Sequence, residues 1–224
     1  MQQPTKRRQF SFFDVDDTLI SVKSMLSFQD YWYHMYPDAE KEASYRKDLL
    51  EHMHPGACWA HLNRLYYQHF SGRAIEHIAS VSRQWYETMQ HKSTHFYHQN
   101  VVERLQQHQA LGHTPVFVSG SFRQLLEPIA HELKVNHILA IDLKVKNGQC
   151  TGDIMSPQTI GEGKAIAITQ FLQKHNTNPK DCFAYGDDIS DLPMLQLIGT
   201  AGVVAGGRGL EAEASKNGWE IIQP

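Results

Sequence analysis

The chain alternates short apolar segments with stretches of helical periodicity, and this alternation constrains its fold more than any other feature. Each apolar segment is rich in β-branched and aromatic residues and is followed by a cluster of glycine, serine or aspartate. Segments with this pattern lie at residues 9–15, 114–119, 181–185 and 200–205. Strands that alternate with helices form βαβ units, so the sequence predicts an α/β fold with a parallel sheet flanked by helices.

The segments between the predicted strands fit helices and one hairpin. Apolar residues recur at helical spacing in residues 122–134, 163–175 and 191–198. Residues 140–154 predict two short strands joined by an Asn-Gly turn, a dipeptide that favours tight hairpins. The helices therefore account for the connections that a parallel sheet requires.

A long helical stretch interrupts this alternation after the first strand. Residues 21–99 contain no convincing strand, and their apolar residues predict about four helices. We expect these residues to form a separate helical domain, with residues 1–20 and 100–224 forming the α/β core. Open α/β sheets bind ligands at the carboxyl edge of their strands. The inserted helices are therefore expected to cover that edge as a lid.

Composition excludes several classes of protein. The formal net charge is −3, which gives no general surface for nucleic acid. The three cysteines are far apart and form no CxxC pair, so neither a disulfide framework nor a zinc knuckle is expected. The N-terminal residues lack the apolar stretch of a secretory signal, and no run is long enough to span a bilayer. We expect a cytoplasmic protein without nucleic-acid or membrane partners, as a monomer or homodimer.

Paired carboxylates follow the first predicted strand. Asp14 and Asp16 are two residues apart, so in an extended backbone both side chains leave on the same side. One carboxylate can attack a phosphorus atom while the other handles a proton. An acidic turn at a strand end is the alternative explanation.

Three further segments carry groups that suit phosphate or a cation, although each is weak alone. Ser119 and Gly120 lie at a strand-to-helix turn, where backbone N–H groups can approach phosphate oxygens. Lys164, near the start of a helix, can balance negative charge. The carboxylates of residues 186–191 suit a hard cation such as Mg²⁺. An ordinary turn, a solvated lysine and an aspartate-rich helix cap are the respective alternatives.

The order and strand context of these four segments resemble the signature motifs of the haloacid-dehalogenase-like superfamily, specifically its phosphatases. VFVSGSF and YGDDISDLPML are most similar to the phosphoserine-phosphatase-like branch, subfamily IB. The helical insert resembles the C1 cap of that branch. The resemblance implies a Rossmann-like core with an all-helical C1 cap, and Mg²⁺-dependent hydrolysis of a small-molecule phosphate ester.

The resemblance also implies roles for individual residues. Asp14 would be the nucleophile that forms an aspartyl phosphate, and Asp16 the general acid and base. Mg²⁺ would be bound by Asp14, Asp187 and the backbone carbonyl of Asp16, while Ser119, Gly120 and Lys164 would hold the phosphate. Supporting roles are implied for three other residues: Thr18, Asp188 and Asp191. For Asp188, a water-mediated contact to the ion and no role at all both remain open.

Substrate choice is expected to depend on the helical insert. Phosphoserine phosphatases carry a glutamate shortly after the first motif, and the matching residue here is Lys23. A lysine would repel the substrate ammonium, so phosphoserine is not expected as the main substrate. The expected substrate is a sugar-like or amino-alcohol phosphate. Lys23 either contacts an anionic or hydroxyl group or faces solvent, and Arg64 is a second candidate contact. A phosphotransferase or mutase, or a non-catalytic protein that binds a phosphorylated metabolite, are the alternative functions.

Overall fold

A computed structural model describes residues 8–54, 56–207 and 209–224. Residues 1–7 of the predicted core lie outside this part of the chain. The strands, numbered in chain order, are β1 (Phe10–Phe13), β2 (Thr114–Phe122), β3 (His137–Ile141), β4 (Leu143–Lys146), β5 (Gln149–Ile154), β6 (Phe183–Gly186), β7 (Thr200–Val204) and β8 (Glu220–Ile222).

Helices connect these strands. The first four are α1 (Ser24–Met35), α2 (Ala39–His52), α3 (Trp59–Gln68) and α4 (Ile75–Lys92). They are followed by α5 (Gln99–Ala110), α6 (Arg123–Glu132), α7 (Glu162–Lys174), α8 (Leu192–Leu197) and α9 (Leu210–Asn217). Within the described residues, no helix combines the length and the apolar character needed to cross a bilayer.

A six-stranded parallel sheet with the order β3-β2-β1-β6-β7-β8 forms the core. All four residues of β1 are buried, because the strand lies between β2 and β6 and helices cover both faces of the sheet. The predicted α/β fold with a parallel sheet is confirmed. The carboxyl ends of β1, β2 and β6 therefore meet at one edge.

The predicted hairpin is also confirmed. Strands β4 and β5 pair antiparallel, and the residues between them, Asn147 and Gly148, have φ angles of 52° and 76°. Two positive φ angles in a two-residue loop match the turn that Asn-Gly favours. Strand β3, by contrast, was not expected as a member of the main sheet. It pairs with β2 at the edge of that sheet and immediately precedes the hairpin.

The helices α1–α4 share a hydrophobic core with one face of the sheet. Phe28 and Phe70, from this helical region, both pack on Phe122 at the end of β2, with ring centroids 5.2 Å away in each case. Helix α4 also packs against α6. A second buried cluster, which includes Phe12 and Ile168, covers the opposite face of the sheet. The helical region is thus fixed next to the carboxyl end of β2.

Candidate active site

The loop after β1 places Asp14 at the edge of the sheet. The Asp14 backbone N–H donates to the carbonyl of Tyr185 in β6 at 2.9 Å, which continues the pairing of the two strands. The chain then turns sharply, because the Val15 carbonyl accepts bonds from the N–H groups of Thr18, Leu19 and Ile20. The Asp14 side chain consequently lies almost entirely buried, with 7% of the residue exposed.

The loop after β6 brings two more carboxylates to the same place. Asp187 accepts a hydrogen bond from the Thr18 hydroxyl at 2.8 Å, which joins the two loops. Asp191 lies in a short 3-10 turn that the Asp188 side chain caps by accepting from the Ser190 N–H at 2.9 Å. Thr18 and Asp188 thus hold the two loops by hydrogen bonds.

Together, Asp14, Asp187 and Asp191 form a compact group of buried carboxylates. One oxygen from each lies within 4.8 Å of the others. Burial, and then repulsion from Asp14, raises the pKa of Asp187 to about 8, and burial raises the pKa of Asp191 to about 6. Three carboxylates without histidine or cysteine form a donor set that suits Mg²⁺. Asp191, for which a supporting role is expected, has its carboxylate within this group.

Lys164 lies among these carboxylates. Its Nζ donates to Asp14 Oδ1 at 2.7 Å and to Asp191 Oδ1 at 2.6 Å, and the side chain is 4% exposed. Burial opposes the charge, but the two carboxylates outweigh it and raise the pKa of the Lys164 ammonium above its ordinary value. A fixed positive charge next to Asp14 can stabilise negative charge that develops on a bound phosphate.

Asp16 lies beside this group in a different environment. Its Oδ2 accepts a hydrogen bond from the Ser121 hydroxyl at 3.2 Å, and that hydroxyl is 2.6 Å from the hydroxyl of Ser24 in α1. The Oδ1 atom is enclosed and has no hydrogen-bond partner among the described residues. Burial raises the pKa of Asp16 to about 6, against the opposing effect of the Ser24 hydroxyl. A carboxyl group with such a pKa can donate and accept a proton near neutral pH.

The last residues of β2 are held by contacts with the helical region. The sequence predicts a strand-to-helix turn at Ser119 and Gly120, but β2 continues to Phe122, with an irregularity in its pairing with β3 after Val118. The Gly120 carbonyl accepts hydrogen bonds from Asn63 Nδ2 at 2.8 Å and from the Tyr67 hydroxyl at 2.9 Å. A Cβ on Gly120 would lie 2.7 Å from the Ile160 side chain, so the close packing here favours glycine. The Ser119 hydroxyl accepts from the N–H two residues later at 3.0 Å. Sequence reasoning did not identify Asn63 or Tyr67, which carry no local signal for this contact.

A cavity of about 120 Å³ lies between these groups and the helical region. Its floor includes Asp14, Asp16, Ser119, Gly120 and Lys164. Side chains from α1, α2 and α3 form the opposite wall. The structure thus brings the predicted phosphate-binding and catalytic residues to one cavity.

The two residues expected to contact the substrate, Lys23 and Arg64, lie differently with respect to the cavity. Lys23 lines the cavity, but its Nζ is 2.7 Å from Asp17 Oδ2 in a half-exposed ion pair. Arg64 is exposed and is not among the residues that line the cavity. Helix α3 buries Leu62, Asn63, Tyr66 and Tyr67, and Arg64 lies on the opposite side of the helix. The structure therefore does not support a substrate contact by Arg64.

Comparisons with known proteins agree with this arrangement. The family model of haloacid dehalogenase-like hydrolases matches residues 11–196. A probable phosphatase of Mycobacterium tuberculosis is 30% identical over 97% of this chain and 76% of its own length. A crystal structure of a protein of unknown function from Bordetella pertussis Tohama I has a TM-score of 0.84 at 22% identity, covering 97% of this chain and 99% of that one. A substrate-bound phosphoserine phosphatase structure has a TM-score of 0.69 at 19% identity, and the match covers 97% of this chain and 94% of that one. At these identities the two structural matches establish the fold alone.

Proposed function

This chain belongs to the haloacid dehalogenase-like hydrolases, and on that basis we propose that it is a Mg²⁺-dependent phosphatase of small phosphate monoesters. The observation that carries the proposal is the contact of Lys164 with Asp14 at the floor of a cavity, beside the carboxylates of Asp187 and Asp191. A carboxylate with a fixed cation beside it, facing a cavity, is suited to attack phosphorus. The phosphatase named among the relatives supports the same class of reaction.

Asp14 is the proposed nucleophile. Its backbone is fixed by the bond to Tyr185, and Lys164 holds its Oδ1. Its carboxylate would attack phosphorus, form an aspartyl phosphate and release the alcohol oxygen on the opposite side. Positioning of this carboxylate and stabilisation of charge then supply most of the catalysis.

Mg²⁺ would be held by Asp14 and Asp187, with the Asp191 carboxylate near enough to contribute. When bound, the ion neutralises phosphate charge that would otherwise repel the attacking carboxylate. The three carboxylates fit this cation because they crowd together in a buried space, where a positive ion lowers their mutual repulsion. Ser119 and Lys164 would bind the phosphate oxygens directed away from the ion.

Asp16 is the proposed acid and base. In its protonated form it would give a proton to the leaving alcohol oxygen. The resulting carboxylate would remove a proton from the water that attacks the aspartyl phosphate, which regenerates both Asp14 and the protonated Asp16. The hydrogen bond from Ser121 would hold the carboxyl group in place for both transfers.

The helical residues 21–99 would act as a cap over this reaction. Side chains from α1, α2 and α3 line the cavity. Asn63 and Tyr67 donate hydrogen bonds from the cap to the Gly120 carbonyl near the end of β2. A cap of this kind restricts access to small substrates and excludes water around the reacting groups.

The test is phosphate release by two neighbouring variants, with and without Mg²⁺. Asp14→Asn should abolish turnover while its unfolding transition remains cooperative. Asp17→Asn is the matched control, since it changes an exposed carboxylate in the same loop, at a φ of 58° that asparagine tolerates. It should keep most of the activity. Chelator should stop the wild-type reaction and added Mg²⁺ should restore it. Turnover by Asp14→Asn, or full activity in excess chelator, would refute the proposal.

A further inference from the structure

The cavity above Asp14 has a polar floor and an apolar wall. The wall is formed by side chains of α1, α2, α3 and the loop before α7, among them Met25, Leu26, Leu49, Trp59, Leu62 and Ile160. A leaving group attached to a phosphate at the floor would extend along this wall. Apolar surface of this kind gains free energy by burying hydrocarbon and loses it by burying unpaired polar groups.

The polar side chains in the wall already have partners in the protein. Asn63 donates to the Gly120 carbonyl, and its Oδ1 accepts from Gln158 Nε2 at 2.9 Å. The Tyr66 hydroxyl donates to the Met25 carbonyl at 2.8 Å. A substrate hydroxyl that faces Asn63 or Tyr66 would have to compete with these bonds, and a buried hydroxyl without a partner is unfavourable.

The charges on the wall are equally unsuited to an ionic leaving group. Among the described residues that line the helical side of the cavity, Lys23 is the one charged side chain, and Asp17 pairs with it at 2.7 Å. A substrate ammonium would face this lysine with no carboxylate in the wall to balance it. A substrate carboxylate would have to compete with Asp17. Neither form of charge has a prepared partner there.

We propose that the natural leaving group is an uncharged, largely apolar alcohol. This inference rests on the proposed phosphatase function, because it concerns the same site. It differs from the sugar-like or amino-alcohol phosphate expected from the sequence, since both of those would place unpaired polar or charged groups against the apolar wall.

The first experiment compares kcat/KM for matched phosphate monoesters. Propyl phosphate and O-phosphoethanolamine have nearly the same shape, and they differ by a terminal methyl group in place of an ammonium. Propyl phosphate should be preferred by more than about tenfold. From ethyl to pentyl phosphate, kcat/KM should rise about fourfold with each CH₂ until the cavity is filled. Equal kcat/KM values from ethyl to pentyl phosphate would overturn the inference. So would a preference for O-phosphoethanolamine, O-phosphoserine or glycerol phosphate.

Two neighbouring leucines of α2 provide matched variants. Leu49 lines the cavity, whereas Leu50 is 84% exposed and does not. Leu49→Asn should sharply reduce the ratio of kcat/KM for pentyl over ethyl phosphate, and Leu50→Asn should leave that ratio unchanged. If Leu49→Asn fails to fold, Met53→Gln tests the same wall at a residue that is 41% exposed. An unchanged ratio in the folded wall variant would contradict the inference.

A binding measurement separates failure of this inference from failure of the proposed function. Calorimetric titration should show pentylphosphonate binding more tightly than 2-aminoethylphosphonate, with a negative heat-capacity change from buried apolar surface. If no monoester is hydrolysed but pentylphosphonate still binds more tightly, the proposed phosphatase function is refuted and the apolar binding site is supported. If monoesters are hydrolysed and the order is equal or reversed, the inference about the leaving group fails alone.

Discussion

Replacing Lys164 by methionine removes the cation that lies between Asp14 and Asp191. The two side chains have similar length, so the substitution mainly removes the charge and its hydrogen bonds. The Lys164 and Asp191 side chains are 4% and 1% exposed, and water cannot replace the lost contacts. Breaking a buried ion pair by removing one partner costs about 3–5 kcal/mol, because the remaining charge stays buried without compensation.

Lys23→Met is the matched control. The Lys23 and Lys164 ammonium groups both lie 2.7 Å from an aspartate oxygen, but Lys23 and Asp17 are 41% and 38% exposed. Solvent screens such a pair, which contributes about 0–1 kcal/mol. The distances to these partners are equal, so burial and the second carboxylate contact of Lys164 should separate the two variants.

The assay is equilibrium urea unfolding near neutral pH with chelator and then with excess Mg²⁺. In chelator, Lys164→Met should lose at least about 2 kcal/mol more free energy of unfolding than Lys23→Met. Excess Mg²⁺ should reduce the difference in free energy of unfolding between the two variants, because a bound cation balances the negative charge of the same carboxylates. Equal losses in the two variants would refute the account of Lys164 as the buried counter-charge of this group.

Three other predictions concern different parts of the chain. Gly163→Ala should lower the free energy of unfolding by about 1–3 kcal/mol and reduce phosphate release, because its Cβ would lie 1.6 Å from the Gln158 carbonyl oxygen, next to Lys164; wild-type values in urea unfolding and turnover would contradict this. Burial and His113 hold the pKa of His108 at about 4, below its unfolded value of about 6.5. The unfolded chain therefore binds this proton first, and His108 alone should contribute a loss of about 2 kcal/mol in the free energy of unfolding from about pH 7 to about pH 5. In urea titrations, the free energy of unfolding of the wild type relative to His108→Gln should fall by that amount over this range, and a difference that does not change with pH would exclude the His108 proton. Ca²⁺ should support little turnover in place of Mg²⁺, because its looser coordination holds the reacting groups less firmly, and equal rates of phosphate release would contradict this.

The parts of the site that follow strand ends were predictable from the sequence. Asp14 and Asp187 each follow an apolar strand, Ser119 lies in the last part of another, and parallel strands bring their carboxyl ends to one edge. The fold could be predicted for the same reason, since the alternation of strand and helix leaves few topologies. The catalytic roles of these residues stay predictions until they are measured.

Contacts between distant parts of the chain were not predictable. Asn63 and Tyr67 bind the Gly120 carbonyl across 57 and 53 positions of sequence, and nothing local to either residue indicates that partner. The pairing of Lys23 with Asp17 likewise depends on how α1 approaches the first loop. Strand β3 was missed because it is a short edge strand that runs directly into the hairpin.

The position of Arg64 shows the limit of reasoning from residue type. An arginine in the helical region is a reasonable anion contact, but the direction of its side chain depends on which face of α3 is buried. The buried face is set by Leu62, Tyr66 and their neighbours, and it excludes Arg64 from the cavity. The helical wall of the cavity is instead formed mostly by apolar side chains, which sequence analysis alone assigns to a hydrophobic core.

The most direct measurement of the mechanism is to trap the phosphorylated protein during turnover. A reaction with a labelled phosphate monoester is quenched in acid, reduced with borohydride and analysed by peptide mass spectrometry. Reduction should convert residue 14 alone to homoserine, because an acyl phosphate on Asp14 is the species that borohydride reduces. Active enzyme that yields no acyl phosphate at residue 14, or that yields one on another carboxylate, would contradict the mechanism.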